Sequence, residues 1–178
     1  MSASSFFVRP ATAADALAIV HIHVLAWQQA YAGLMADSYL CAMDAACPRR
    51  TLAWQQAIAA GRDTVLLAFA GDQPVGFLAI GACRDQHKAT VVTGEVIAFY
   101  VLPAYWREGV GCALWGAGVH RLVEQGYRQA MLWVLSDNAR ARRFYDRAGW
   151  SAEPASERSL LIGGASLREI RYRSPLLS

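Results

Sequence analysis

One segment near the middle of the chain constrains the fold more than any other. Residues 95–101 read EVIAFYV, a β-rich run, and Pro103 and a loop with Gly109 and Gly111 separate it from a helical stretch that ends near Gln125. Glycine lets backbone N–H groups approach a ligand without a Cβ in the way. The first N–H groups of a helix have no internal partner, and the helix dipole favours an anion there. The segment therefore predicts a strand, a turn and a helix whose natural ligand is a diphosphate.

Two common classes of phosphate-binding protein do not fit this loop. A dinucleotide fold needs G-x-G-x-x-G/A, and although Gly109 and Gly111 fill the first two positions, the third is Leu114 and no acidic residue stands near position 129. A nucleoside triphosphate loop needs a lysine after its last glycine, and the single lysine is Lys88. A tight turn before a packed helix, without a ligand, is the structural alternative.

The loop resembles a known motif. Residues 106–111, WREGVG, are similar to the [QR]-x-x-G-x-[GA] motif of the GNAT superfamily of acetyl-CoA-dependent N-acetyltransferases, with Trp106 in place of the family's Gln or Arg. A second block, LWVLSDNARARRFYDRAGW, resembles the strand and helix that follow in that family. Asn138, Tyr145, Gly149 and Trp150 fill its marked positions. The early segment AWQQAYAGLMADSYL resembles the acceptor-side helices of small family members, so the resemblance spans most of the chain.

The order of elements predicts an α/β fold. Hydrophobic periodicity, Gly and Pro predict the order β-α-α-β-β-β-α-β-α-β-β, which is typical of a mixed sheet with helices on both faces. Its parts are strands at 6–9, 65–70, 75–82, 91–101 and 131–135, two more within 157–175, and helices at 17–31, 37–60 with a break near Pro48, 109–125 and 138–148. The resemblance implies a mostly antiparallel mixed sheet of about seven strands with splayed central strands and about four helices. The length of 178 residues predicts a single domain spanning 1–178.

The resemblance also implies how acetyl-CoA binds. The backbone of the bulged strand would hold the pantetheine arm, a main-chain N–H near Val101 would polarise the thioester carbonyl, and the loop would hold the diphosphate. Asn138 would hydrogen-bond the arm, although an asparagine at a helix start is also a good cap. The candidate cofactor-binding residues are Phe99, Tyr100, Val101, Arg107, Glu108, Gly109, Val110, Gly111, Cys112 and Asn138.

Two residues are candidates for proton transfer. Glu95 lies in an apolar strand where the family often has a catalytic glutamate, and a carboxylate there can deprotonate an ammonium directly or through water. Its alternative is a strand-end glutamate in solvent. Tyr145 would protonate the thiolate of coenzyme A, because the phenol pKa is near 10 and the thiol pKa near 8.5. Its alternative is a core residue on the apolar face with Ala141, Phe144 and Ala148.

The acceptor is less well defined. Trp27, Tyr31 and Trp133 are candidates to line its pocket, and core packing is their alternative. Three functions remain open: acetylation of a primary amine on a small molecule, acetylation of a peptide or protein N-terminus or lysine, and a catalytically silent acyl-CoA-binding module.

Composition excludes several other classes. The formal charge of +3 is too small for a nucleic-acid-binding face. No apolar run reaches the roughly 18 residues of a membrane span, and the N-terminus lacks the pattern of a signal peptide, so we expect a cytoplasmic protein. The four cysteines form no C-x-x-C pair, so we expect reduced thiols and no metal. The oligomeric state stays open, with a homodimer as one alternative.

Overall fold

The computed structural model describes residues 6–33, 35–84 and 92–176, and its elements follow the order expected from the sequence. They are β1 (Phe6–Pro10), α1 (Ala16–Ala30), α2 (Asp37–Ala42), α3 (Cys47–Ala60), β2 (Thr64–Ala70), β3 (Gln73–Ala82), β4 (Thr93–Val101), α4 (Val110–Glu124), β5 (Gln129–Leu135), α5 (Ala139–Arg147), β6 (Ser151–Ile162) and β7 (Ala165–Pro175).

The helices begin and end at residues with known positional preferences. Pro48 lies in the first turn of α3, where its missing N–H costs nothing, and the expected break falls just before it, in a short 3₁₀ turn at Asp44–Ala46. The helix α3 ends at Gly61 in the left-handed conformation, with φ 63°. The sequence predicts that the next strand region starts at Val91, which lies outside the described residues. In the structure β4 begins at Thr93.

The seven strands form one mixed sheet in the order β1-β2-β3-β4-β5-β7-β6. β1 with β2, β2 with β3, β5 with β7 and β6 with β7 are antiparallel, whereas β4 and β5 are parallel. Four helices of nine residues or more and the six-residue α2 accompany it within the described ranges. The expectation of a mostly antiparallel mixed sheet of about seven strands is confirmed.

The chain divides into two compact units. The first consists of residues 1–80 and 98–120, and the second of residues 81–97 and 121–178, so β3 and β4 contribute to both. In the first unit α1 supplies buried apolar side chains such as Ile19 to the sheet face that carries Phe77, which packs on His23 and Tyr100. Leu114 of α4 is buried on the opposite face, beside Gly76. The second unit has its own core, whose largest fully buried side chains among the described residues are Leu122, Met131, Leu132 and Tyr172.

The strand β4 changes character along its length. Its register with β5 runs from Thr93↔Gln129 to Val96↔Leu132, and residues 94–96 are buried, whereas residues 97–101 lie beyond that register and are half-buried. Central strands that splay apart must lose their pairing partway along, as β4 does with β5. No helix of the described chain is both long and apolar enough to span a membrane.

Candidate functional site

The loop before α4 is exposed and conformationally strained. Arg107, Glu108 and Gly109 are exposed, and α4 starts at the buried Val110. Arg107 has φ 69°, the one positive φ among the described non-glycine residues, and Gly109 has φ 93°. A non-glycine residue in this region costs on the order of 1–3 kcal/mol, and such strain clusters at ligand sites. The loop therefore holds the first turn of α4 open to solvent in a shape suited to an anion.

The end of β4 is fastened by a residue to which the sequence assigned no role. The indole N–H of Trp106 donates to the carbonyl oxygen of Val101 at 2.8 Å. The N–H of Leu102, in the same peptide unit as that carbonyl, donates to Val75 O at 2.8 Å. A 3₁₀ turn at Pro103–Tyr105 connects Leu102 to Trp106. The position of Trp106 in the motif was the only available signal.

Neighbouring side chains of β4 point to opposite faces, as strand alternation requires. Phe99 packs on Trp115 of α4 with 5.5 Å between ring centroids. Tyr100 packs instead on α1, where its hydroxyl accepts a hydrogen bond from Trp27 Nε1 at 2.9 Å. Side-chain packing thus leaves the backbone of residues 99–101 as the part suited to bind a ligand.

An aromatic cluster joins α1 to β4. His23, Trp27 and Tyr31 follow one another at intervals of four residues on one helix face. The His23 ring stacks on Tyr100 at 4.6 Å, and Trp27 meets Tyr31 edge to face at 4.8 Å. Tyr31 is 7% exposed. Trp27 and Tyr31 therefore lie in one packed cluster, and their place at an acceptor pocket stays a prediction.

His23 is the member of this cluster that sequence reasoning missed. Its Nε2 is buried and has no hydrogen-bond partner. Burial, with a smaller contribution from the charge of Arg50, lowers the pKa of His23 to about 4, so the imidazole is neutral at pH 7. Burial and the nearby Tyr31 raise the pKa of the Tyr100 phenol, against the hydrogen bond from Trp27. The helical spacing of His23 from Trp27 was the available signal.

Glu95 is buried and paired, not a strand-end glutamate in solvent. It is 3% exposed. Arg84 donates to its carboxylate from Nη2 at 2.6 Å and from the main-chain N–H at 2.9 Å, and its Nε lies within 3.2 Å of both oxygens. The Arg84 side chain itself is 65% exposed. The solvent alternative for Glu95 is wrong, and proton transfer there must proceed in the presence of a guanidinium.

Asn138 and Tyr145 lie at opposite ends of α5. Asn138 is the N-cap, and its Oδ1 accepts from the Ala141 N–H at 3.1 Å, so the capping interpretation is confirmed for that oxygen. Tyr145 is buried, at 7% exposure. The expected apolar stripe is only partly realised, because Ala148 is the exposed C-cap and Gly149 follows with φ 81°.

A polar network anchors α5 to β7. The Tyr172 hydroxyl donates to Asp146 Oδ1 at 3.0 Å and accepts from Arg142 Nε at 3.3 Å. The Arg142 Nη1 donates to Ser136 O at 2.9 Å. The hydrogen bond to Tyr172 and nearby acidic groups raise the pKa of Arg142, which stays charged. The Tyr145 ring lies 5.7 Å from that of Tyr172, so the network also fixes Tyr145.

Two arginine side chains lie close to the ring of Trp133. The Arg158 guanidinium lies 3.7 Å from the centroid of its ring, and Arg171 lies 5.7 Å away. These arginines pair with Glu169 and Glu153 on β7 and β6. Such a covered ring is a packing element of the sheet surface, and a place in an acceptor pocket stays a prediction.

The candidate residues fall into two sets. The first unit contains the loop 107–112, the β4 residues 99–101, and Trp27 and Tyr31, and the second contains Glu95, Trp133, Asn138 and Tyr145. Within the described ranges, no group of three or more His, Cys, Asp or Glu side chains is arranged to hold a metal ion.

Comparison with known proteins adds independent findings. The profile described as Acetyltransferase (GNAT) family matches residues 20–150. The chain is similar to the uncharacterized N-acetyltransferase YuaI of Bacillus subtilis (strain 168), with 28% identity over 172 residues that cover 96% of this chain and 94% of that protein.

Two solved structures share the fold. The PaiA N-acetyltransferase from Thermoplasma acidophilum, in complex with coenzyme A, matches with a TM-score of 0.74 and 18% identity over 96% of this chain and 99% of its own. The yncA protein from Salmonella typhimurium, with acetyl-CoA, matches with a TM-score of 0.69 and 20% identity over 97% of this chain and 95% of its own. The fold implied by the sequence motifs is thereby confirmed.

Proposed function

Because the chain belongs to the GNAT acetyltransferase family, we propose that it transfers the acetyl group of acetyl-CoA directly to a primary amine of a small molecule. The observation that carries the proposal is the exposed, strained loop at Arg107–Gly109 that opens α4. The coenzyme A and acetyl-CoA bound to the Thermoplasma and Salmonella proteins support the choice of donor. The family match crosses both compact units, which supports treating 1–178 as one acetyltransferase domain.

The residues of the loop fit a diphosphate. A Cβ built on Gly109 would meet no atom within 4 Å, so a ligand has room to approach the backbone there. The N–H groups of Val110, Gly111 and Cys112 belong to the first turn of α4, which has no internal acceptors for them. We assign the diphosphate to this turn, with Arg107 and Glu108 at its exposed rim.

The donor supplies an activated acyl group as a thioester. We assign the pantetheine arm to the backbone of Phe99, Tyr100 and Val101, with Asn138 as a further partner through its amide nitrogen. Residues 97–101 are half-buried and lie beyond the register with β5, while β4 stays next to β3 in the sheet. This supports the assignment, because polar backbone groups on the strand edge that no longer pairs with β5 need another partner. The main-chain N–H of Val101 would then stabilise the charge that develops on the thioester oxygen.

Proton transfer is assigned to Glu95 and Tyr145. A bound ammonium gives one proton to Glu95, directly or through water, and becomes a nucleophilic amine. The amine nitrogen forms a bond to the acyl carbon as the carbon–sulfur bond breaks. The leaving thiolate takes a proton from Tyr145, which regains one as the nitrogen releases its second proton. No covalent bond to the protein forms.

The aromatic cluster supports a small acceptor. Trp27 is half-buried, whereas Tyr31 and the His23 Nε2 are buried, so Trp27 is the accessible edge of an otherwise packed apolar wall. A rigid apolar wall suits a compact amine better than a long extended peptide. We assign Trp27 and Tyr31 to this wall and retain Trp133 as a third candidate for the acceptor pocket. We also propose that the enzyme works in the cytoplasm and uses no metal ion.

A panel of acceptors tests the proposal. Purified protein is mixed with acetyl-CoA and, separately, with small primary amines, with peptides bearing a free N-terminus, and with a lysine peptide whose N-terminus is blocked, and thiol release is followed. We expect release with at least one small amine and none above background with peptides. Release only with peptides would replace the acceptor class, and acetyl-CoA binding without release would support a silent module.

A further inference from the structure

Trp106 stands where the resembling motif has glutamine or arginine, and its side chain makes a specific contact. The indole is half-buried, and its N–H donates to the Val101 carbonyl at 2.8 Å across five residues. Tryptophan has two side-chain torsions, so it holds such a bond at a smaller entropic cost than a flexible arginine. The contact closes the turn between β4 and the phosphate loop.

A second hydrogen bond holds the other side of the same peptide unit. The Val101 carbonyl and the Leu102 N–H share one planar trans peptide, so they point in opposite directions. The carbonyl is held by Trp106, and the N–H is held by Val75 O on β3 at 2.8 Å. Two bonds pulling in opposite directions fix the rotation of this peptide about the chain axis.

The fixed peptide constrains the neighbouring N–H group. In an extended strand the N–H and C=O of one residue point to the same edge, so the Val101 N–H shares the edge of the carbonyl that Trp106 holds. The preceding residue, Tyr100, is anchored through its hydroxyl by Trp27. With Tyr100 and the Val101–Leu102 peptide both held, the Val101 N–H has little freedom to turn.

We propose that Trp106 is a positioning residue for acetyl transfer, which directs the Val101 N–H toward the thioester oxygen by holding the Val101 carbonyl. The inference rests on the proposed function, since it assumes that this N–H serves the thioester. The expected effect is on turnover and on recognition of the acetyl group, and not on the diphosphate.

The test compares two substitutions. Trp106→Phe keeps an aromatic ring and removes the donor, and Trp106→Gln returns a side-chain N–H. Tyr105→Phe is the control, because it deletes a side-chain hydrogen bond of the same turn, from the hydroxyl to Gln73 at 3.2 Å, away from β4. For each we would measure kcat with the best amine, the Kd of acetyl-CoA and of CoA by calorimetry, and amide hydrogen exchange at Val101 and Leu102.

For Trp106→Phe we expect kcat to fall by about tenfold or more, a loss below that for deleting an oxyanion donor outright. The Kd of CoA stays within about twofold of wild type. Any ratio by which the wild type binds acetyl-CoA more tightly than CoA becomes smaller in the variant. The Leu102 amide exchanges its hydrogen faster. Trp106→Gln recovers most of kcat, and Tyr105→Phe behaves as wild type.

Unchanged kcat and exchange in folded Trp106→Phe would overturn the inference and leave the proposed function standing. Equal losses of kcat, CoA affinity and thermal stability in Trp106→Phe and Trp106→Gln would also overturn it, since they indicate a packing role. Wild-type protein that releases no thiol with any amine would overturn the proposed function, and the inference with it.

Discussion

The guanidinium of Arg84 lies 2.6 Å from the Oε1 of Glu95, and the main-chain N–H of the same arginine donates to Oε2 at 2.9 Å. One residue thus satisfies both oxygens of a carboxylate that is 3% exposed. A buried charge without such a partner would be costly, so Arg84 explains how this strand tolerates a glutamate among apolar residues. It also means that two roles, ion pairing and proton transfer, must be separated experimentally.

Glu95→Gln separates them. The amide cannot accept a proton from an ammonium, and a positioned base contributes on the order of 10²–10⁴ in rate. We expect turnover to fall into that range while the Kd of acetyl-CoA is unchanged. Stability should fall by about 1–3 kcal/mol, because the amide N–H₂ opposes the donors of Arg84. Steady-state kinetics measure turnover and titration calorimetry measures the Kd, both well below the melting temperature, and urea unfolding measures the stability.

The matched control is Glu169→Gln, which removes the charge of another glutamate paired with a half-exposed arginine, Arg158 at 2.7 Å. It should retain full turnover. If Glu95→Gln keeps activity within about twofold from pH 6 to 9, Glu95 is an ion-pair residue and the base lies elsewhere.

Tyr145→Phe tests the proposed acid. The change deletes one oxygen and leaves a ring that is 7% exposed and 5.7 Å from Tyr172. If the phenol protonates the thiolate, turnover drops at least about tenfold while acetyl-CoA affinity holds. A packing residue would lose only about 0.5–1.5 kcal/mol of stability. Kinetics and a thermal melt of the same sample distinguish the two.

Tyr172→Phe provides the comparison for Tyr145. Its hydroxyl bonds Asp146 Oδ1 at 3.0 Å, so its loss should lower the melting temperature and change turnover less than Tyr145→Phe does. A Tyr145→Phe protein with a lower melting temperature and full activity would reduce Tyr145 to a structural role and leave protonation of the thiolate to water.

His23 predicts a loss of stability in mild acid. Burial lowers its pKa from 6.5 to about 4 in the folded state, so between these values the unfolded chain binds a proton that the folded chain does not. The free energy of unfolding therefore falls as the pH drops from 6.5 towards 4, by about 3 kcal/mol in all from this group. Arg9 lowers the pKa of Asp15, so this carboxyl group titrates below that pH range.

His23→Phe should remove that dependence. Phenylalanine keeps the stack on Tyr100 and has no buried Nε2 without a partner. We expect urea unfolding at pH 7, 6, 5 and 4 to give a flatter curve for the variant than for wild type. Parallel curves for the two proteins would mean that His23 is not the group responsible.

The sequence predicted the parts of this fold and site that depend on local chemistry. The end of the helix predicted over 37–60, the existence of a turn between β2 and β3, and the cap at Asn138 each follow from residues within a few positions of one another. The turn was predicted over 71–74 and is two residues shorter, because β3 begins at Gln73. The loop after β4 was predicted because Gly109 and Gly111 fall between a strand and a helix, and its role as a ligand site stays a prediction.

Long-range pairs were not predictable in the same way. Nothing local marks Arg84 as the partner of Glu95, since the contact depends on how β3 and β4 are brought together. The hydrogen bond between Trp27 and Tyr100 joins residues 73 positions apart. The contacts of Trp133 with Arg171 of the adjacent strand β7 and Arg158 of β6 also depend on the order of strands in the sheet. Such partners are decided by the fold and not by spacing along the chain.

The central claim, that the loop opening α4 binds the diphosphate of acetyl-CoA, is tested most directly by calorimetric titration of Gly111→Trp with acetyl-CoA. Gly116→Trp is the control, because Gly116 lies on the same helix, is exposed, and has no atom within 4 Å of an added Cβ. We predict that wild type and Gly116→Trp bind acetyl-CoA alike, and that folded Gly111→Trp shows no measurable binding. Unchanged affinity in folded Gly111→Trp would contradict the account.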